Sequence, residues 1–398
     1  MRIGLYIYKL GFGGAERVVC RTSQILERNG HEVFIITDET VDSAYEYAGQ
    51  YLTLNIPHSV HGVKSLLLFK KRISALKKLK KQYQFDCVIS FLLQPNIVNI
   101  LSKVKGCKTY VSIRNRFISE NYKSIFQRLF LNLAKKLYKK SDGVISVSNL
   151  INEEAVKYLN VPPKKSFTLY NPYDIKTLIE ESNKAIEPEL ESQLSDKSFK
   201  YVSTGRFTHQ KGFWHLIKAF AKIHSRDKNT KLVLIGDGEL KEKTVQLIKK
   251  LQIEDSVILP GFRKDVFAIE KYCNAYVMTS LFEGFPNALT EAMCLGLPVI
   301  SSDCKSGPSE ILGPKLELNS EVTQVTEQEY GILIPAFLTE ENWISNDIQQ
   351  EEFLVQAMEI IKAKDKSSFY SEQSKLRSKD FSEEKFYENL MNIITVGA

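Results

Sequence analysis

The sequence predicts an α/β protein built as two doubly wound, parallel-sheet, Rossmann-like domains in succession. Three observations carry that prediction. Apolar, β-branched runs alternate with longer stretches of helical periodicity, the pattern of right-handed βαβ crossovers. The alternation runs once through Ser146 and starts afresh at Phe199, making two series. The 398 residues, 43% hydrophobic and 25% charged, have ordinary globular composition at a length too great for one small domain.

The first series opens with Ile3–Tyr8, a strand rather than a signal peptide, because the apolar run is short and lacks a small-residue cleavage site. A helix over Ala15–Asn29 follows, then strands at Glu32–Thr37, Cys87–Ser90, Thr109–Ser112 and Gly143–Ser146. The Tyr170-Asn-Pro-Tyr173 turn marks the boundary, and a charged, strand-poor stretch runs on to Lys200. The second series predicts strands at Phe199–Gly205, Lys231–Gly236, Val257–Leu259, Ala275–Thr279 and Pro298–Ser301. Its helices are Trp214–Ser225, Glu239–Leu251 and Asn287–Leu295. The acidic segment Ala336–Phe353 shows no strand and reads as an inserted loop or an irregular helix; Phe381–Ile394 is amphipathic and helical. Domains are therefore expected at 1–172 and 173–380, with 381–398 a terminal helix. Ligands of such sheets bind beyond the carboxyl ends of the strands, which for two facing domains puts an active site in the cleft between them.

Composition excludes several classes. Six cysteines are scattered without a CxxC pair, so reduced, buried thiols are expected. No run of about 18 uncharged apolar residues is present to cross a membrane. There is no HExxH, GxSxG, P-loop or EF-hand pattern, and the six histidines lack zinc-ligand spacing. The net charge of +7 is unevenly spread: residues 51–150 hold 19 Lys and Arg against 3 Asp and Glu, a local +16 that leaves −9 for the rest. Within that block, segments 64–81 and 122–140 carry apolar residues at helical spacing (Leu66, Phe69, Ile73, Leu76; Phe126, Leu129, Phe130, Leu133, Leu137). Basic amphipathic helices suit an anionic membrane surface. The same pattern also fits a stripe facing the domain core beneath solvated lysines. No nucleic-acid-binding module accompanies the charge.

The chemistry-bearing motifs sit where strands meet helices. Glu283 and Glu291 flank Gly284-Phe285-Pro286-Asn287-Ala288-Leu289, a turn followed by a helix start whose free N–H groups and positive dipole end suit a phosphate. An acid before that helix start and another one turn in is a workable layout for a nucleotide-sugar; it is also what an ordinary capped helix with solvated acids looks like. Gly205-Arg206 through Lys211-Gly212 places two cations on a glycine-bounded loop after the first strand of the second series, suited to a diphosphate, or simply solvated. Gly11-Phe-Gly13-Gly14-Ala-Glu16-Arg17 opens the first helix without the spacing of a dinucleotide fingerprint. Gly236-Asp-Gly238 and Pro260-Gly261-Phe262-Arg263 are strand-end turns that admit close ligand approach or serve plain turn chemistry. His209 reads as an incidental loop residue.

In this order the motifs resemble those of the GT-B glycosyltransferases, specifically the retaining family 4 group, over most of the chain. The resemblance implies two facing Rossmann-like domains with the C-terminal helix crossing back, an acceptor-binding N-terminal domain and a C-terminal domain binding a nucleotide-sugar. It implies a UDP-sugar donor and no metal or other cofactor. Arg206 and Lys211 are then expected on the donor diphosphate, Glu291 on the ribose hydroxyls and Glu283 at the donor sugar. The N–H groups around Phe285–Leu289 meet sugar and phosphate, and Gly14, with Gly13, lies beside the diphosphate. Gly205, Gly236, Gly261, Phe262 and Arg263 complete the donor site. Many members carry a histidine after an N-terminal-domain strand; here the run is Ser112-Ile-Arg114-Asn115-Arg116, similar to a subgroup that builds bacterial surface glycans and lipid-linked oligosaccharides. Arg114 is expected to add charge or orient the sugar. The implied partners are a UDP-sugar, a lipid-linked or glycan acceptor and an anionic membrane surface. The implied location is cytoplasmic, on the inner face of the membrane. A GT-B sugar epimerase, a phosphorylase of the same two-domain shape, or a non-catalytic binding subunit would share the fold.

Overall fold

The computed structural model describes all residues except 12, 41–42, 44, 58–62, 117–124, 318–319, 345–347 and 397–398. The chain divides into two compact units, Met1–Pro172 with Glu383–Ala398, and Tyr173–Ser382.

The first unit holds β1 (Arg2–Ile7), α1 (Gly14–Arg28), β2 (Glu32–Thr37), β3 (Gln50–Thr53), α2 (Val63–Tyr83), β4 (Cys87–Phe91), α3 (Leu93–Leu101), β5 (Lys108–Ile113), α4 (Ile125–Leu137), β6 (Gly143–Ser146), α5 (Asn149–Leu159) and β7 (Ser166–Thr168). The strands form one sheet in the order β3-β2-β1-β4-β5-β6-β7, every pair parallel. Helices on both faces explain why β1 and β4 read as almost unbroken apolar runs. The second unit holds α6 (Ile175–Ser182), α7 (Pro188–Leu194), β8 (Phe199–Thr204), α8 (Phe213–Arg226), β9 (Thr230–Ile235), α9 (Lys241–Lys250), β10 (Val257–Gly261), α10 (Val266–Glu270), β11 (Ala275–Met278), α11 (Asn287–Cys294), β12 (Val299–Ser302), α12 (Pro308–Leu312), β13 (Thr326–Glu327), β14 (Ile332–Ile334), α13 (Gln349–Lys362) and α14 (Lys364–Ser378). Its sheet runs β10-β9-β8-β11-β12-β14-β13, parallel except for β13. The final helix, α15 (Glu383–Val396), returns to the first unit, where Phe386, Leu390, Ile393 and Ile394 join the core against β1 and α1. Lys108 Nζ donates to the Ile394 carbonyl at 3.2 Å and fixes its end.

All ten expected strands are present to within two residues. The charged stretch after Tyr173 holds no strand, as expected, and folds as α6 and α7. One correction follows. The Ala336–Phe353 segment is not one irregular element: its last residues, from Gln349, begin the regular helix α13. The six cysteines are free and buried. Among the described residues, no helix is long and apolar enough to cross a membrane.

The basic block covers the core with part of its apolar stripe and leaves part of it exposed. Leu76 is buried, and Phe69, Ile73 and Leu79 pack on the core beneath α2. Arg72 and Lys80 are buried too, so they are structural cations. Arg72 Nε lies 2.7 Å from Asp38 Oδ2, and Tyr6 donates to Asp38 Oδ1 at 2.7 Å. Burial pushes the Asp38 carboxyl up to about 6, while Tyr6 and Arg72 pull it down. Lys80 donates to the Asn99 carbonyl at 3.0 Å, and burial lowers its ammonium to about 8. Leu66, Leu67 and Leu129, however, stand 60%, 57% and 54% exposed. Phe69 and Phe130 meet edge-on at 5.5 Å, which brings α2 and α4 side by side. Phe126 and residues 122–124 lie outside the described side chains.

Candidate active site

The candidate residues fall into two groups, each at the carboxyl ends of its own sheet. In the second unit the loops after β8 and β9 are laced together: Phe207 N–H donates to the Asp237 carbonyl at 2.9 Å, and Leu240 N–H to the Phe207 carbonyl at 2.9 Å. This close approach is why glycine occupies position 236. Its φ is +146°, and a Cβ there would stand 1.9 Å from the Gly205 carbonyl oxygen. Gly205 and Gly236 thus serve loop-to-loop packing. At Gly212, with φ +57°, a Cβ would lie 2.5 Å from the Thr279 carbonyl oxygen, so the next loop presses equally close.

That contact sets the position of Lys211. Thr279 Oγ1 donates to the Lys211 carbonyl at 3.0 Å, Leu281 N–H to the Gln210 carbonyl at 2.8 Å, and Gln210 Nε2 to the Phe282 carbonyl at 2.8 Å. The ammonium of Lys211 then reaches Glu283 Oε1 at 2.7 Å, where Ser280 Oγ also donates at 2.9 Å. Ser306 supports the turn from below, its N–H on the Glu283 carbonyl at 3.3 Å and its hydroxyl on the Gly284 carbonyl at 3.0 Å. Arg206, five residues before Lys211, is exposed, and its side chain makes no hydrogen bond or ion pair with any described residue.

α11 begins at Asn287, with Pro286 as its cap and no capping side chain. The N–H groups of Asn287, Ala288 and Leu289 therefore lack partners within the helix. Asn287 Oδ1 accepts from the Tyr173 hydroxyl at 2.7 Å. Glu291, one turn in, is buried. Both Glu283 and Glu291 act on the buried Tyr276 hydroxyl, raised first by burial and then by Glu270 and these two carboxylates. At the end of β10, Gly261 has φ +77° with open space above it, and Phe262 is 68% exposed. Arg263 is occupied: it donates to both Asp265 oxygens at 2.8 and 2.7 Å and to Glu187 at 2.9 Å, which hold its charge firmly.

In the first unit, Gly13 caps α1 in extended backbone and Gly14 is its first residue. Arg114, just past β5, donates to Asn171 Oδ1, and Arg116 Nε to the buried Glu154 at 2.7 Å. The structure therefore joins Lys211 with Glu283 and sets Gly205 against Gly236, whereas Gly13, Gly14 and Arg114 belong to the other sheet. Sequence reasoning missed Ser280, Ser306 and Tyr173. Ser280 could have been found as the hydroxyl three residues before Glu283. Tyr173 carries no local signal. Among the described residues no group of three or more His, Cys, Asp or Glu is placed to hold a metal ion.

Two tandem parallel-sheet units, a returning last helix and this loop set define the GT-B class of glycosyltransferase. The family described as "Glycosyltransferase Family 4" matches residues 12–177, and "Glycosyl transferases group 1" matches residues 184–328. An uncharacterised glycosyltransferase of Methanocaldococcus jannaschii is 33% identical over 329 residues, 79% of this chain and 80% of that one. The chain belongs to this glycosyltransferase family. The N-acetylgalactosamine-N,N'-diacetylbacillosaminyl-diphospho-undecaprenol 4-alpha-N-acetylgalactosaminyltransferase of Campylobacter jejuni is 27% identical over 99% of both chains. The solved structure of Anabaena HepE in complex with UDP shares the fold, with a TM-score of 0.72 at 17% identity over 100% of both chains.

Proposed function

We propose that this glycosyltransferase moves a sugar, an N-acetylhexosamine or hexose, from a UDP-sugar to a hydroxyl of a lipid-linked glycan acceptor, retaining the α configuration and needing no metal. The observation that carries the reading is the pairing of an unpartnered, exposed Arg206 with a Lys211 held on Glu283 at 2.7 Å, in one loop at the strand ends. In the reaction the bond from sugar C1 to the β-phosphate oxygen breaks and a bond from C1 to the acceptor oxygen forms. The acceptor proton passes to the leaving diphosphate. The developing anion meets Arg206, Lys211 and the first N–H groups of α11, in a field that is preorganised rather than assembled during the step. Glu283 stands at the sugar and Glu291 at the ribose. UDP is the nucleotide in the Anabaena neighbour's complex, and the full-length Campylobacter relative is named for an α-linkage and a diphospho-undecaprenol substrate.

The test incubates purified protein with UDP-GlcNAc, UDP-GalNAc, UDP-glucose and UDP-galactose, with and without a synthetic polyprenyl diphosphate glycan, in EDTA. Acceptor-dependent UDP release that survives chelation is expected. A changed monosaccharide without acceptor indicates an epimerase, and no release with any acceptor indicates a binding subunit.

The acceptor is reached from the cytoplasmic face of the membrane, where α2 and α4 dock. Support comes from the exposed Leu66, Leu67 and Leu129 set among exposed Lys70, Lys71, Lys77, Lys135 and Lys136. Lysines near an anionic surface contribute about 1 kcal/mol each, and salt screens that term. Vesicles containing phosphatidylglycerol should carry the protein down at low salt and release part of it at high salt. Equal indifference to anionic and neutral vesicles at both salts contradicts this docking.

A further inference from the structure

Within the second unit, the loop that carries Arg206 and Lys211 also meets residues 336–343. The middle of the loop is a single 3-10 turn, His209–Lys211, that runs straight into α8. His209 Nε2 lies 2.5 Å from the Thr339 carbonyl oxygen. A carbonyl only accepts, so that ring nitrogen carries the proton and donates. The residues around Thr339 are pinned to the first turn of α8. The Phe337 ring stacks on His215, with 4.2 Å between centroids and 10° between planes. The Trp343 ring meets the buried Trp214 at 5.3 Å, and Trp214 lies 5.7 Å from the His209 ring as well. Trp343 is fixed in turn. Its Nε1 donates to Glu341 Oε2 at 2.9 Å, and Lys243 of α9 reaches the same oxygen at 3.0 Å while lying 5.8 Å over the ring.

His209 stands three residues past Arg206 and two before Lys211. The Lys211 end of the loop rests on Thr279, Leu281 and Phe282, and the Arg206 end on Asp237 and Leu240 through Phe207. The His209–Thr339 hydrogen bond is a further anchor, placed between those two. A loop that must present two cations to one diphosphate gains from each anchor, because a preorganised site incurs little ordering cost when the anion arrives. We propose that His209 is a positioning residue for the donor diphosphate: through Thr339 it fastens the cation-bearing turn to residues 336–343, which Phe337 and Trp343 fasten to α8. This rests on the nucleotide-sugar reading above. It gives a role in phosphate affinity to a histidine that reads as incidental in the sequence, and to the acidic segment that shows no strand there.

The test measures binding of UDP by calorimetry and of uridine by ligand-observed NMR. It uses the full chain, His209→Ala, His209→Gln, Trp343→Ala and the double variant of His209→Ala with Trp343→Ala. His209→Ala removes one hydrogen bond from the turn, so UDP should bind about threefold to tenfold more weakly. Uridine, lacking phosphates, should bind as to the wild type. Gln carries a side-chain N–H that can reach the Thr339 carbonyl, so His209→Gln should recover most of the affinity. Trp343→Ala loosens the segment and should weaken UDP binding by itself, yet add nothing in the His209→Ala background. Wild-type UDP affinity in His209→Ala, an equal loss for uridine, or no recovery with Gln overturns the proposal. So does a Trp343→Ala effect that is absent, or one undiminished in the double variant. A wild-type chain that binds no UDP overturns the nucleotide-sugar reading and this proposal together. Normal wild-type binding with a silent His209→Ala overturns this proposal alone.

Discussion

Arg206→Ala is expected to lower turnover by about 10²–10³-fold, comparable with losing one preorganised oxyanion donor, while leaving the thermal midpoint where it was. The asymmetry follows from the structure. The Arg206 side chain has no partner among the described residues, so its removal breaks no contact that holds the fold. Its guanidinium is committed to no described residue, which leaves it available for the proposed diphosphate. Lys211→Ala should show a similar loss of turnover with a different stability signature. Lys211 neutralises Glu283 at 2.7 Å, and both side chains are largely withdrawn from water. Its loss leaves a partly buried carboxylate with, among the described residues, Ser280 alone hydrogen-bonded to it, so the midpoint should fall as well. Steady-state rates and thermal melts of the two variants decide the matter. Full activity in both removes the assigned roles.

Arg72→Ala is expected to destabilise the first unit by about 3–5 kcal/mol at neutral pH, the range for stranding one member of a buried ion pair. Asp38 is fully buried, with Arg72 and Tyr6 on its carboxylate. The penalty should depend on pH in a definite sense. The folded-state pKa of Asp38 is raised to about 6 from 3.8, so the folded chain binds the proton more tightly than the unfolded one. That contribution is fully present below the unfolded value and disappears as pH rises through about 6. Arg72 lowers the folded value, so without it the carboxyl holds its proton to still higher pH. The deficit should therefore be smaller at pH 5 than at pH 8. Denaturant unfolding at both pH values measures it, and Arg72→Met with Asp38→Asn should recover most of the loss. An equal, small deficit at both pH values contradicts a buried charge pair.

The parts legible in the sequence share one physical cause. Strands buried on both faces, such as β1, β4 and β9, are almost unbroken apolar runs. The missed strands are short or at the sheet margin: β3 is only half-buried, and β7 is the mixed run Ser166–Thr168. α14 escaped because its buried positions are Tyr370, Ser374, Arg377 and Ser378, which give no apolar stripe to read. In the site, the glutamate pair and the two cations were visible as a motif at fixed spacing, but their contacts were not. Lys211 and Glu283 are 72 positions apart, and Tyr173 and Asn287 are 114 apart. Tertiary folding alone brings them together. Arg206 and Arg263 looked alike in sequence as cations on strand-end turns. The fold separates them, tying Arg263 to Glu187, 76 positions away, and leaving Arg206 unengaged.

The most direct measurement is a crystal structure of the protein grown with UDP in the presence of EDTA. The account predicts the diphosphate on the Arg206 guanidinium and the Lys211 ammonium, with the first N–H groups of α11 pointing at it and Glu291 on the ribose. A nucleotide bound away from both cations contradicts the account.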